Sequence, residues 1–185
     1  MDYFKIVNKN FSFLEKFGYK AFKSENESCV RYVGMYNIVL ISFSNCTNEI
    51  DIQFADLSLS KCFSLQEALD CKDVCGKRGL YQFSNTADIV SGIEYTSEVV
   101  KEIFGISNLS ISREFDQIFE LTSTRRKEKL EEYYIKEALT KADNLWSEGK
   151  YDEAVKIYKK YHKYLTKSQK KKIELIDNKH NGLAY

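Results

Sequence analysis

Four short stretches of strand-like sequence follow one another between residues 19 and 54, and they constrain the fold more than any other feature. Apolar and polar residues alternate from Tyr19 to Lys23, from Cys29 to Val33 and from Glu49 to Phe54, whereas Tyr36 to Phe43 is rich in β-branched residues. Alternation predicts half-buried strands, and the apolar stretch predicts a central one. The breaks between them are short and polar, which favours an antiparallel meander over crossover connections.

Helical patterns flank this predicted sheet. An amphipathic helix is predicted at the N-terminus, with its apolar face at Phe4, Val7, Phe11 and Leu14 and its end at Gly18. Ser64 and Glu67 form a capping-box pattern, which predicts a second helix from Ser64 to about Cys75, closed by Gly76 and Gly79. Leu80 to Phe83 is either a fifth strand or a loop. Thr86 to Phe104 predicts a third helix, weakened by Gly92 and ended by Gly105.

The chain beyond Ser112 is predicted to be almost wholly helical. A short helix contains Phe115, Ile118, Phe119 and Leu121, and the three poor helix formers Thr122, Ser123 and Thr124 should separate it from the next helix. Further helices are predicted at 125–148, 151–165 and 168–177. The expected fold is therefore α+β: an N-terminal helix, a meander of four strands or five, then helices. The expected domains are 1–110 and 111–185.

One segment resembles a known repeat. The sequence from Glu148 to Ala154, with Ala142, Leu145 and Tyr158 around it, is similar to the turn between the two helices of a tetratricopeptide repeat. Gly149 would allow a left-handed helix cap, Tyr151 would fill the space between the helices, and Ala154 would let the two backbones approach. The resemblance covers residues 135–168.

The resemblance implies a helical hairpin that binds another protein. It departs from the repeat pattern at Lys141, Tyr161 and Thr166, where a leucine, a small residue and a proline are usual. Arrays of this family need about three stacked units, and no second copy is visible here. The alternative is a hairpin that simply packs on the sheet domain or on a second copy of the chain.

The same segment is rich in lysine and tyrosine. Residues 156–172 carry eight lysines and no acidic residue, with tyrosines interleaved. Lysines could neutralise phosphates and tyrosines could stack on unpaired bases, so a nucleic-acid-binding protein is the alternative function. The helical spacing of the apolar residues instead favours a core-facing stripe with a solvated lysine face. The candidate partner-binding residues are Tyr151, Tyr158, Lys159, Tyr161, Lys163, Lys170 and Lys171.

No catalytic, metal or cofactor pattern is assembled in the sequence. Cys71 and Cys75 are four residues apart and would share a helix face, but the only histidines, His162 and His180, are distant in sequence. Residues 76–79 lack the spacing of a phosphate-binding loop, and they predict a basic turn. The carboxyl pair of Glu49 and Asp51 is expected on the polar face of a strand. We therefore predict a protein that is not an enzyme and has no cofactor.

Composition and charge limit where the protein can be located and what kind of partner it can bind. The five cysteines, an odd number at irregular spacing, favour reduced thiols and a cytoplasmic location. The apolar stretches are too short for a membrane helix. The absence of proline, with abundant lysine and asparagine, suggests an AT-rich bacterial genome. Residues 1–124 carry 12 basic and 17 acidic residues, whereas residues 125–185 carry 16 basic and 10 acidic. Such a dipolar chain suits charged partners.

The predicted plan resembles small bacterial immunity proteins, in which a cytoplasmic α+β domain blocks a toxin by binding it. This resemblance implies a protein partner, and the acidic first two-thirds would suit a basic target such as a nuclease. This resemblance does not identify which residues would contact the partner. A homodimer is also compatible with the sequence, since aromatic stripes on short helices often need covering.

Overall fold

The computed structural model describes residues 2–24, 28–44, 46–104, 111–180 and 182. The chain divides into two compact units, Met1–Thr124 and Arg125–Tyr185. The strands are β1 (Lys20–Lys23), β2 (Cys29–Val33), β3 (Asn37–Ser44), β4 (Glu49–Asp56), β5 (Cys62–Ser64) and β6 (Leu80–Gln82). The helices are α1 (Tyr3–Phe11), α2 (Leu65–Cys71), α3 (Thr86–Phe104), α4 (Ile111–Ser147), α5 (Tyr151–Lys160) and α6 (Lys167–His180), with 3₁₀ turns at Ser12–Phe17 and His162–Tyr164.

The first unit contains a fully antiparallel sheet. Strands β1 to β4 pair in sequence order, so the predicted α+β fold with a four-stranded meander is confirmed. The far edge of β4 is shared: β5 pairs with Gln53–Ala55, and β6 pairs with Glu49–Asp51. The open alternative at Leu80–Phe83 is therefore a strand. The three-residue β5 was not predicted, because so short a segment shows no alternation.

The core of this unit lies between one face of the sheet and the helices. Phe54 sits at its centre, fully buried, with ring centroids 5.3 Å from Phe63 and 5.0 Å from Phe104. The predicted N-terminal helix is confirmed: Val7, Phe11 and Leu14 are fully buried. It tightens to a 3₁₀ turn after Phe11 and ends at Gly18, whose φ of 86° is left-handed. Glycine adopts that conformation without steric cost.

The capping box predicted for α2 is present in full. The Glu67 amide donates to the Ser64 hydroxyl over 3.2 Å, and the Ser64 amide donates to the Glu67 carboxylate over 2.9 Å. The helix ends at Cys71, earlier than expected, because the chain turns through positive φ at Asp73 and Gly76. Helix α3 has the predicted bounds. The predicted stop at Gly105 and most of the first polar break, at 25–27, lie outside the described residues.

The predicted break at 122–124 is wrong, since α4 continues through it. Thr122 is buried, and its hydroxyl donates to the Phe119 carbonyl over 2.9 Å, so its polar atom is satisfied inside the helix. Packing of Phe115 and Ile118 into the first core supports the helix just before these residues. Tertiary contacts thus outweigh the low helix propensity of three consecutive residues.

The helix predicted at 151–165 is shorter in the structure. Helix α5 ends at Lys160, and a 3₁₀ turn and an extended Leu165 follow. This change of direction returns the Leu165 side chain to the core of the second unit, where it is buried. Helix α6 is correspondingly longer than the predicted 168–177.

Helix α3 lies close against the sheet at Gly92. A Cβ atom added there would overlap the Tyr81 ring and the end of the Ile50 side chain. We expect Gly92→Ala to destabilise the protein by about 1–2 kcal/mol, because overpacking outweighs the better helix propensity of alanine. Urea denaturation followed by far-UV circular dichroism measures the change. Ser91→Ala, on the exposed side of the same helix, is the matched control, and greater stability in Gly92→Ala would contradict the prediction.

Candidate functional site

The second unit is built on the turn at Gly149, as the sequence predicts. Gly149 has a φ of 80°, and its amide donates to the Trp146 carbonyl over 3.1 Å. The Lys150 amide donates to the Leu145 carbonyl over 2.9 Å. These two bonds form a Schellman motif, which satisfies the last carbonyls of α4 and reverses the chain. Helix α5 therefore begins at Tyr151 as the second arm of a hairpin.

A small residue of each arm of the hairpin is buried in the core of this unit. Ala142 on α4 and Ala154 on α5 are both fully buried in the core of this unit. Ala154 is thus buried, and the close approach of the two backbones expected there stays a prediction. The expectation that Tyr151 fills the space between the helices is wrong. The Tyr151 side chain is 42% exposed, and its ring packs edge-on against Trp146, with centroids 4.8 Å apart. Tyr158, two turns further along α5, is the aromatic residue that is fully buried.

A polar cluster joins the three helices of this unit. The Asp143 carboxylate of α4 accepts hydrogen bonds from the Tyr158 hydroxyl (2.6 Å), the side-chain amide of Gln169 (2.9 Å) and the Lys172 ammonium (2.7 Å). Partial burial raises the pKa of Asp143, but these bonds outweigh it and hold the pKa below its usual value. Burial, then the hydrogen bond to Asp143, raises the pKa of Tyr158. At neutral pH the cluster therefore consists of the neutral Tyr158 phenol and an ion pair between Asp143 and Lys172.

Helix α6 begins at a capping box that was not among the predicted features. The backbone amide of Gln169 donates to the Thr166 hydroxyl over 3.2 Å, and the backbone amide of Thr166 donates to the Gln169 side-chain oxygen over 3.0 Å. This is a capping box, and the spacing Thr-x-x-Gln would have identified it. The same Gln169 also contacts Asp143, so the cap ties the start of α6 to α4.

A groove of about 320 Å³ lies between α4 and the segment that connects α5 to α6. Buried Ile135 and half-buried Leu139 supply its apolar lining, and exposed Tyr164 stands at the connecting segment. Asp143 and Gln169 of the polar cluster also line it. We call this the hairpin groove. It combines an apolar lining with a few fixed polar groups, the usual make-up of a recognition site.

The predicted binding residues are spread over this unit. Tyr158 is in the core, and Tyr161 is half-buried at the end of α5. Lys159 is exposed and pairs with Asp177 over 2.7 Å. Lys163 is exposed, with its ammonium 5.9 Å from the centre of the Tyr164 ring. Lys170 is half-buried and Lys171 exposed, both on α6. None of these residues lines the hairpin groove, although Lys163 lies beside it.

The first unit contains a second cleft, of about 670 Å³. It is lined by Gln66, Arg78, Tyr81 and Tyr95, together with Leu80 and Gln82. The Arg78 amide donates to the Tyr95 hydroxyl over 2.9 Å, which anchors the predicted basic turn at 76–79. The polar groups here are those of a structural turn, and no nucleophile with an adjacent base lies among the lining residues.

The thiol pair does not have the expected geometry. Cys71 is the last residue of α2 and Cys75 lies beyond it in a turn, so the two do not share a helix face. Within the described ranges, no three residues among histidine, cysteine, aspartate and glutamate are grouped so that they could hold a metal ion. Asp51 is half-buried rather than fully solvated, and this burial raises the pKa of its carboxyl.

No family model, curated protein or solved structure matches this chain. Among the described residues, no helix has both the length and the apolar character needed to cross a membrane.

Proposed function

We propose that this chain acts by binding another protein, as an inhibitor of the immunity type, and that the hairpin groove is the contact. The observation that carries the proposal is the groove itself, in which an apolar lining and the exposed Tyr164 ring adjoin the Asp143 cluster. Tyrosine at the rim of a desolvated pocket is the residue type that most often dominates binding energy. The resemblance of residues 135–168 to a tetratricopeptide repeat, which implies a hairpin that binds another protein, supports the same proposal.

Nucleic acid is the second candidate, and the lysine-rich surface favours it. Lys159 and Lys172 both pair with carboxylates, and Tyr158 is buried, so these three residues contribute little to such a surface. The exposed lysines of the 3₁₀ turn and α6 remain. Binding through them would weaken steeply as salt is raised, whereas an apolar groove would be far less sensitive.

The test compares wild-type bait with two single variants in lysate from the source cells. Tyr164→Ser removes the aromatic side chain of the hairpin groove, and Leu175→Ser removes an exposed apolar side chain of α6 outside it. We expect Tyr164→Ser to lose the partner, with affinity lower by about tenfold or more in calorimetry with the purified partner. Leu175→Ser should bind like the wild type. Equal capture by wild type and Tyr164→Ser would contradict the proposal.

Two controls separate the candidates. Both variants change exposed residues, so the free energy of unfolding of each should stay within about 0.5 kcal/mol of wild type. Nuclease treatment of the lysate and a salt series then distinguish the ligands. Capture that survives both is protein binding, whereas retention on heparin with loss after nuclease treatment would replace the groove proposal by the nucleic-acid function.

A further inference from the structure

One stretch of α4 is exposed on every side. All residues from Arg125 to Tyr134 are exposed, including Leu130 at 52% and Tyr133 at 62%. Helices in proteins draw most of their stability from packing an apolar face, and an uncovered stretch of nearly three turns lacks that support. Adjacent to it, a mostly apolar depression of about 460 Å³ runs from Tyr133 along Glu137 and Thr140 to Asn144.

The exposed face has the spacing of a helix-pairing seam. Arg126, Leu130, Tyr133 and Glu137 are separated by four, three and four residues, which is the a/d spacing of a two-helix coiled coil. This seam is distinct from the hairpin groove, whose α4 residues are Glu132, Ile135, Lys136, Leu139, Thr140 and Asp143. The four seam residues can therefore be substituted without changing a residue that lines the hairpin groove.

The charges along the seam identify its occupant. Residues 125–129 carry four basic side chains and one acidic one, whereas residues 131–137 carry three acidic side chains and one basic one. Two copies of this segment in parallel would place like charges together. Antiparallel, each basic half faces the acidic half of the other copy, so the segment is complementary to itself.

We propose that a second copy of this chain covers the seam, through antiparallel pairing of α4 about a two-fold axis midway between Leu130 and Tyr133. In this register Leu130 of each protomer meets Tyr133 of the other, and Arg126 of each meets Glu137 of the other. Such self-complementary contacts are the defining property of a two-fold interface. The seam spans about 17 Å of helix.

A charge-exchange experiment tests the register. We expect wild type to show concentration-dependent dimerisation in sedimentation equilibrium. Arg126→Glu alone places four carboxylates at the two charge contacts, and Glu137→Arg alone places four cations there, so each single variant should dimerise at least about tenfold more weakly. An equimolar mixture of the two variants pairs opposite charges at both contacts, and it should recover the affinity of wild type.

Each outcome decides the proposal. Arg126 also interacts within its own chain, so recovery in the mixture, not loss in the single variant, is the decisive observation. Recovery requires folded protomers, because misfolded variants would not restore each other. Antiparallel pairing predicts recovery to the affinity of wild type, since wild type and the mixture then both pair opposite charges. A mixture that associates more tightly than wild type would indicate parallel pairing, in which wild type pairs like charges, and would overturn the proposal. A monomeric wild type at all concentrations, or a mixture that stays monomeric, would overturn the proposal. The Leu130→Ser protein should dimerise more weakly than wild type, and its hairpin groove should be unchanged.

Discussion

Tyr158→Ala is expected to lower the free energy of unfolding of the second unit by about 3–5 kcal/mol, which is a large fraction of the stability of a small unit. The ring is fully buried, with its centroid 6.5 Å from that of Trp146. Its removal leaves a cavity and also leaves Asp143 and Lys172 without a shared hydroxyl. A short unit has few other buried aromatics to compensate. Fluorescence of Trp146, the one tryptophan of the chain, measures this unit specifically.

Two further variants separate the ring from its hydroxyl. Tyr158→Phe keeps the packing and loses the hydrogen bonds, so it should cost about 1–2 kcal/mol. Tyr164→Ala removes an exposed ring three residues beyond Tyr161 and should leave the unfolding midpoint almost unchanged. A Tyr158→Ala protein that unfolds like wild type would show that the hairpin does not depend on this contact.

Phe54→Ala is expected to destabilise the first unit by a similar amount, about 3–5 kcal/mol. Phe54 is fully buried on β4 and contacts rings from two other elements of the first unit, since Phe63 lies on β5 and Phe104 on α3. The cavity would open at the junction of these elements, where rigid strands limit collapse. Phe54→Leu fills part of the space and should cost less.

The matched control is Phe22→Ala, which removes the same side chain from the edge strand β1, where it is exposed. It should change stability by no more than about 0.5 kcal/mol. Guanidinium denaturation followed by far-UV circular dichroism measures the change in the free energy of unfolding. Hydrogen exchange of peptides from β3 and β4 shows whether the loss is in the sheet. Unchanged exchange in Phe54→Ala would contradict the assignment of Phe54 to the centre of this core.

The elements predicted well were those specified by local chemistry. Period-two alternation located β1, β2 and β4, because one face of each strand must be buried, and a stretch rich in β-branched residues located β3. Gly149 and the Ser64–Glu67 pair located helix ends, because a left-handed residue and a capping box each satisfy backbone groups that nothing else nearby can reach. The Thr166–Gln169 box carries the same kind of signal and could have been found.

The candidate site was only partly predictable. The sequence located the hairpin, but the residues proposed for binding were selected by type, as lysines and tyrosines. The groove depends on which side chains of α4 face the segment after α5, and that depends on where α5 stops. Helical periodicity predicted that the helix and its apolar stripe continue to Leu165, whereas α5 ends at Lys160. Tyr164, which lines the groove, was therefore not among the predicted residues.

Local patterns in this sequence determine the α+β class, the meander and the turn at Gly149, because each follows from the conformational preferences of neighbouring residues. Tertiary packing decides the continuity of α4 through Thr122–Thr124, the pairing of the short β5 and the burial of Tyr158 in preference to Tyr151. In these cases the local preferences differ by about 1 kcal/mol or less per residue, and contacts between residues distant in sequence contribute more.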